Sequence, residues 1–377
     1  MTAIVNLKQK CSAPSSLLSS DVPVLKIAQD CIHCGACVQE CGFLQNQAVP
    51  GQIAQNYLSG DKGCLRSAYS CSLCSLCVEV CPQHLPVAEM FLDFRREAVL
   101  LGKGRYSHHR PLRFYEKIGN SKLFTCYRLP QACDTIFFPG CALPGIMPDR
   151  ILHLFNYLKE QIPQLGLVLD CCNKPSHDLG FQEQFCQRFA QKVDRLRSAG
   201  VKKVITTCPS CYQIFKRYGK GFDIVTAYPL LNKMEKIFSA PINSSQVFTV
   251  HDSCAIRFED ETHKAVRELA DRKGLKFSEM NHSRRKTYCC GAGGTVHYLE
   301  QKKDSSWTRK RQKEAGEANM ITYCAGCTSA LGSDRAYHII ELLFSGLDSG
   351  LPSGRMSSAP YTYINRLLLK VKCLFLH

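Results

Sequence analysis

The stretch "TYCCGAGG", residues 287–294, places two cysteines, Cys289 and Cys290, directly before a run of glycine and alanine. Neighbouring side chains on a strand point to opposite faces. Both thiols can meet one object only if the chain turns there, and Gly291, Gly293 and Gly294 permit that turn. A second adjacent pair, Cys171 and Cys172, stands in "LDCCNKP", residues 169–175. The two pairs have matching surroundings. Upstream of each lies a single cysteine after a β-rich segment, Cys141 in "TIFFPGCALPG" and Cys254 in "VFTVHDSCAIR". Downstream of each lies C-x2-C after another such segment: Cys208 and Cys211 in "VITTCPSCY", Cys324 and Cys327 in "MITYCAGCT". The spacings are C-x29-CC-x35-C-x2-C and C-x34-CC-x33-C-x2-C, with equivalent cysteines 113 to 118 residues apart. "DIVTAYPLL" at 223–231 matches "RAYHIIELL" at 335–343 in the same way. A repeat of this kind marks a duplicated domain of roughly 110 residues.

Between the cysteines, short apolar runs alternate with amphipathic stretches such as "DRILHLFNYLKE" and "HKAVRELADRKG". That alternation predicts parallel α/β units. Loops that follow parallel strands gather at one edge of the sheet, so the five cysteines of each repeat can converge. Five thiolates exceed the four that one zinc ion or one iron–sulfur cube accepts. The set therefore predicts an enlarged cluster, with paired cysteines reaching different irons. Zinc held by four of the five, or a thioredoxin-like dithiol at "CPSC", are the other chemistries the residues allow.

Nearer the start, residues 31–41 read "CIHCGACVQEC" and residues 71–82 read "CSLCSLCVEVCP". Both are C-x2-C-x2-C-x3-C. Three thiolates at these spacings can grip three corners of a [4Fe–4S] cube from one loop, while the fourth cysteine reaches the other cube. The expected sets are Cys31, Cys34, Cys37 with Cys81, and Cys71, Cys74, Cys77 with Cys41. Zinc prefers two separated C-x2-C pairs, so two complete runs speak against it. Helix formers precede the second run, and "HLPVAEMFLDFRREAVLLG" has helical apolar spacing, so a mostly helical ferredoxin-like domain is expected.

The chain has 377 residues and 24 cysteines, enough length for two or three cores and too much for a small disulfide-stapled module. Its opening, "MTAIVNLKQKCSAPSS", shows neither an apolar run nor an A-x-A site, so no signal peptide is expected. No run of 18 apolar residues predicts a membrane span. The formal charge of +16 counts every cysteine as neutral. Metal-bound thiolates would lower it, and part of the basic excess would balance buried anionic clusters. No nucleic-acid recognition motif accompanies the charge, so nucleic acid is not expected as a partner.

On these residues the chain resembles the iron–sulfur proteins related to heterodisulfide reductase, of the B and D type. It is also similar to the iron–sulfur subunits of glycolate oxidase and anaerobic glycerol-3-phosphate dehydrogenase. The resemblance covers about residues 25–345. It implies an α+β multidomain chain: a helical two-cubane ferredoxin domain, then two tandem α/β cysteine-rich (CCG) domains. It implies a non-cubane [4Fe–4S] cluster, or zinc in one site, on Cys141, Cys171, Cys172, Cys208 and Cys211. The second such site is Cys254, Cys289, Cys290, Cys324 and Cys327, expected to be catalytic. The first motif reads CCN rather than CCG, and its 29-residue spacer is at the short end of the family, which leaves its cluster type open.

The implied function is that of an oxidoreductase component passing electrons through two cubanes to reduce a disulfide or similar acceptor. Its alternative is a relay for a flavin-dependent dehydrogenase feeding quinone. No G-x-G-x-x-G fingerprint is present, so a flavoprotein or membrane cytochrome is the expected redox partner. The expected layout is a tail at 1–24, ferredoxin domain at 25–97, basic linker at 98–133, CCG domains at 134–240 and 241–345, and linker plus tail at 346–377. The final "YTYINRLLLKVKCLFLH" reads as a basic amphipathic helix able to lie on a membrane or a partner. Location is expected to be cytoplasmic, with peripheral contact at the membrane's cytoplasmic face. Arg284, Arg285 and Lys286, just before the second pair, are candidates for contacting an anionic substrate. His108 and His109 belong to the linker.

Overall fold

In the computed structural model, each cysteine-rich repeat folds around its own parallel sheet. Residues 22–234, 246–299, 306–332, 334–344 and 356–375 are described. The expected N-terminal tail up to residue 21, the stretch 235–245 and the linker 345–355 lie outside them, as do 300–305.

The first sheet holds β1 (Cys126–Arg128), β2 (Thr135–Phe137), β3 (Gly166–Leu169), β4 (Lys203–Thr206) and β5 (Asp223–Thr226), in the order β1-β3-β2-β4-β5. The second holds β6 (Phe248–His251), β7 (Phe277–Ser278), β8 (Asn319–Thr322) and β9 (Ala336–His338), in the order β7-β6-β8-β9. Without β1, both sheets read second, first, third, fourth, and all these pairings are parallel. Every residue of β3 and of β6 is buried, as strands covered by helices on both faces must be. One apolar core runs through both sheets, with Phe137 and Ile205 from one and Val250 and Ile321 from the other. In this strand order the switch point falls between a repeat's first and third strands, and ligands bind off the carboxyl ends there. Cys141 follows β2 and Cys208 follows β4; Cys254 follows β6 and Cys324 follows β8.

The segment expected to be a basic linker does more than connect. It forms a helix, Arg110–Gly119, and supplies β1, which pairs antiparallel with β3 through Tyr127 and Val168. A three-residue strand is too short to show alternation, so its pattern gave no warning.

Ahead of the repeats, helices Pro23–Asp30, Pro50–Leu58 and Val87–Leu100 pack around a separate core that includes Ile27, Phe91 and Phe94. The first two helices start on proline, whose fixed φ suits that position. At the other end, helix Tyr361–Leu374 buries Leu369 and Cys373 in the core of the repeats. Its basic residues are spent on the chain itself. Arg366 donates to the Gly119 carbonyl at 3.2 Å, Lys370 to that of Leu123 at 3.1 Å, and Lys372 pairs with Asp149 at 2.7 Å. Ile364, Leu368 and Val371 form its exposed face.

Candidate metal centre

The structure gathers the cysteines into four sets. Cys31, Cys34, Cys37 and Cys81 line one pocket, walled by Val49, Pro50, Leu85 and Val87. The Cys37 thiol is pushed up to about 11 by burial and then by the charges of Cys81, Cys31 and Cys34. Cys71, Cys74 and Cys77 are buried together, with Cys41 beside them. Cys77 is held well above its usual range by burial and by Cys71, Cys74 and Cys41. Buried thiols that oppose one another's ionisation give up their protons only to a cation placed among them.

The loops suit such a group. His33 and Gly35 in the first run, and Leu73 and Ser75 at the same places in the second, have positive φ. That conformation is uncommon for leucine, and such turns aim successive N–H groups into a concavity of the kind that holds iron–sulfur groups. The Leu73 N–H lies 3.4 Å from Cys71 Sγ.

The third set joins Cys141 and Cys171, whose sulfurs are 3.8 Å apart, to Cys172, Cys208 and Cys211. Cys211 is held well above its usual range by sulfur contacts to Cys172 and Cys208, then by burial. In the fourth set, Cys254, Cys289 and Cys290 are in contact, and Cys290 touches Cys327, which touches Cys324. Cys289 is held well below its usual range by the thiols of Cys254 and Cys290 and by the N–H groups of Gly291 and Gly293. Cys324 falls to about 7 through its contact with Cys327 and nearby backbone N–H groups. Sequence reading brought all five residues of each set to one sheet edge, and the fold places them there.

The glycine run after the second pair has a further purpose. A Cβ on Gly293 would lie 2.6 Å from the Ser72 carbonyl oxygen, and one on Gly294, at φ +56°, would lie 2.5 Å from that of Cys71. The run lets this loop rest on the loop carrying Cys71 and Cys74. In the first repeat, Asn173 takes the left-handed place of Gly291, with φ 62° against 97°. Asparagine tolerates that region better than most residues, so CCN turns as CCG does.

The sets stand in order. Cys77 feels the charge of Cys37, Cys74 and Cys41 feel Cys289, and Cys208 feels Cys324. At the last step, Tyr228 Oη lies 2.8 Å from the Thr207 carbonyl and 3.0 Å from that of Tyr323, the residues preceding Cys208 and Cys324.

Two members of the basic triplet before Cys289 have acidic partners: the Arg284 side chain lies 3.4 Å from Glu279, and Arg285 reaches Asp260. Arg285 forks onto Asp260 at 3.0 and 2.6 Å, and the Arg284 N–H donates to Asp252 at 2.6 Å. His109, expected in a solvated linker, is buried beside Tyr69 and Tyr106. Three residues near the cysteines escaped sequence reading. His251 has a ring nitrogen within 4.8 Å of the sulfurs of Cys290 and Cys327. Its Nδ1 accepts from Arg311 at 2.9 Å. Arg95 and Arg257 are buried against the loop of the second set. A histidine just before "DSC" was the only available signal for the first. Arg95, one of two adjacent arginines in a helix, and Arg257, in a turn after Cys254, carry no signal of their own in the sequence.

The 4Fe–4S dicluster domain family matches residues 27–85, and the cysteine-rich domain family matches residues 135–216 and 248–332. The chain is 25% identical over 280 residues to the D-type component of the dihydromethanophenazine:CoB–CoM heterodisulfide reductase of Methanosarcina barkeri, covering 66% of this chain and 67% of that protein. It is 24% identical to the same component from Methanosarcina mazei, over 58% of this chain and 60% of that one. To the EtfAB:quinone oxidoreductase of Syntrophomonas wolfei it is 22% identical over 57% of this chain, but spans only 34% of that longer protein. Among the described residues, no helix is long and apolar enough to cross a membrane.

Proposed function

Because this chain is a heterodisulfide-reductase-related iron–sulfur protein, built of a 4Fe–4S dicluster domain and two cysteine-rich domains, we propose that it carries electrons to a disulfide or similar acceptor within a redox complex. The observation that carries this reading is the serial order of the four thiol sets. Cys31, Cys34, Cys37 and Cys81 hold the first cubane, and Cys71, Cys74, Cys77 and Cys41 the second. Cys254, Cys289, Cys290, Cys324 and Cys327 hold the catalytic, non-cubane [4Fe–4S] centre beside the dicluster. Cys141, Cys171, Cys172, Cys208 and Cys211 hold a further cluster, or zinc on four of the five. When bound, such clusters take up and release single electrons.

The residues around the sets support that traffic. The two loops bearing Ser72 and Gly293 meet closely, so the second and fourth sets lie on touching loops. Gly291 and Gly293 direct N–H groups at Cys289, which favours its thiolate. Breaking one disulfide takes two electrons and two protons and yields two thiols, so a flavoprotein or membrane cytochrome partner delivers the electrons in sequence. The relation to an EtfAB:quinone oxidoreductase favours a second reading, a relay towards quinone with no chemistry at the cysteine-rich sites.

Cys290→Ser separates the two. On the first reading, anaerobic acceptor reduction is lost while the cubanes stay reducible. Added thiol then produces a new paramagnetic signal in oxidised wild type but not in the variant. Stoichiometric zinc at this site, with no such signal, would leave the relay reading in its place.

A further inference from the structure

Arg95 and Arg257 are both inside the protein, 0% and 1% exposed. Among the described residues, Arg95 lies 5.1 Å from the centre of the Tyr69 ring and hydrogen-bonds only main-chain carbonyls: Ala68 at 3.1 Å, Tyr69 at 3.3 Å, Cys71 at 2.5 Å, Asp178 at 2.7 Å and Gly294 at 2.8 Å. These come from the dicluster domain and from both cysteine-rich domains. Arg257 does likewise, donating to Cys74 at 2.9 Å, Thr287 at 2.9 Å and Arg285. Among the described residues, neither forms an ion pair with a carboxylate. The side chain of Asp178, the nearest acid to Arg95 in this network, is taken by Lys174 and His177. Two buried cations without counterions are strongly unfavourable unless negative charge stands beside them. That charge is at hand, because each guanidinium ends on the carbonyl of a ligand cysteine of the second set.

We propose that Arg95 and Arg257 clamp the second cubane electrostatically, raising its reduction potential above that of the first and drawing electrons from the dicluster's outer end towards the fourth set. The proposal rests on the cubane assignment above. A fixed buried cation stabilises the reduced cluster, which carries one more negative charge, more than the oxidised one. Net charge, hydrogen bonding and exposure are the terms that set such potentials. The first set has no equivalent among the described residues: no lysine or arginine of theirs lines its pocket. Burial and their neighbours push up the thiols of Cys71 and Cys74, and Arg95 and Arg257 respectively act against that rise. Solvent at the exposed Cys34 works to raise the first potential, but charges act more strongly within the interior than through screened water.

The test is an anaerobic potentiometric titration of the iron-loaded chain, followed by electron paramagnetic resonance. Wild type shows two cubane potentials, and Cys34→Ser perturbs the lower one. Arg257→Gln lowers the upper potential by about 59 mV or more, the equivalent of a tenfold shift for one electron, and leaves the lower one in place. Arg257→Lys, which keeps the charge, restores most of the difference. The inference is overturned if Cys34→Ser perturbs the upper signal, which needs no arginine variant to fold. It is equally overturned if an iron-replete Arg257→Gln leaves both potentials unmoved, or if Gln and Lys lower the upper one alike. A wild type without cubane signals sinks the functional reading itself, a result distinct from all of these.

Discussion

The two cysteine-rich repeats share strand order and five thiols each, yet they face different neighbours. Aligned on Cys141 and Cys254, Phe138 of the first occupies the place of His251 in the second. The second repeat lays Gly293 and Gly294 on the loop bearing Cys71 and Cys74. The first repeat has a polar backing instead. Buried Glu116 accepts from Asn173 at 3.0 Å and from the Ser176 N–H at 3.2 Å, and Lys192 reaches Asn173 at 2.7 Å. The C-terminal helix covers this repeat as well, with Asn365 donating to the Gly145 carbonyl at 2.8 Å. Duplication supplied two equivalent thiol sets. The second repeat's set lies against the dicluster loop, and the first repeat's set lies one step beyond it.

The largest effect that would break this comparison is expected between Cys290→Ser and Cys172→Ser. Cys290→Ser should lower anaerobic disulfide reduction by more than about a hundredfold, since even residues supporting a ligand can cost that much. Cys172→Ser lies one step further from the dicluster. It should lose iron or zinc from its own site and keep reduction within about tenfold of wild type. Steady-state rates with a viologen donor, beside metal analysis, decide this. Equal losses would mean that the two sets act as one unit.

Much of this arrangement was legible in the sequence, and the remainder was hidden for definite reasons. The eight dicluster cysteines declare themselves because a cube needs its ligands at set spacings. The ten others do so because a duplicated pattern repeats its loops after the same strands. The hidden parts are those in which meaning comes only from the partner. Arg95, in "FLDFRREAVLLG", looks like any helix arginine until its carbonyl acceptors are seen. β1 is three residues of a basic stretch and becomes a strand only against β3. The tail's lysines suggested a membrane or partner surface, but Lys370 and Lys372 are bound to the chain's own carbonyl and carboxylate groups.

A smaller effect tests the close approach that distinguishes the second repeat. Gly294→Ala puts a Cβ at φ +56° and within 2.5 Å of the Cys71 carbonyl. Strain at such a position costs about 1–3 kcal/mol, and the backbone clash adds to it. The expected result is a lower anaerobic urea midpoint together with partial loss of dicluster iron. Its counterpart by position, Ser176→Ala, removes only the hydroxyl's hydrogen bonds with Glu116 and Gln184 and should leave that iron in place. If both variants retain all their iron, the loop contact does not support the second set.

The smallest effect concerns acid. At the end of β9, His338 is fully buried where the first repeat has Thr226. Its Nδ1 accepts the Ile340 N–H at 3.3 Å, capping the following helix, which requires an unprotonated nitrogen. Burial pushes its pKa down to about 3, against 6.5 for the free side chain. As pH falls below 6.5 the unfolded chain takes up a proton that the folded one refuses until about 3. The stability due to this residue is therefore whole above 6.5 and drains away between 6.5 and 3. At about 1.4 kcal/mol per pH unit, the loss reaches about 2 kcal/mol by pH 5. His338→Thr, which copies the first repeat, keeps a capping oxygen and removes the titration. Its unfolding free energy should fall less than that of wild type between pH 7 and pH 5, by about that amount. The buried histidines His177 and His251 remain in both proteins and cancel in the difference. Parallel curves for the two proteins would show that His338 titrates normally, and that the helix after β9 opens before the rest of its repeat.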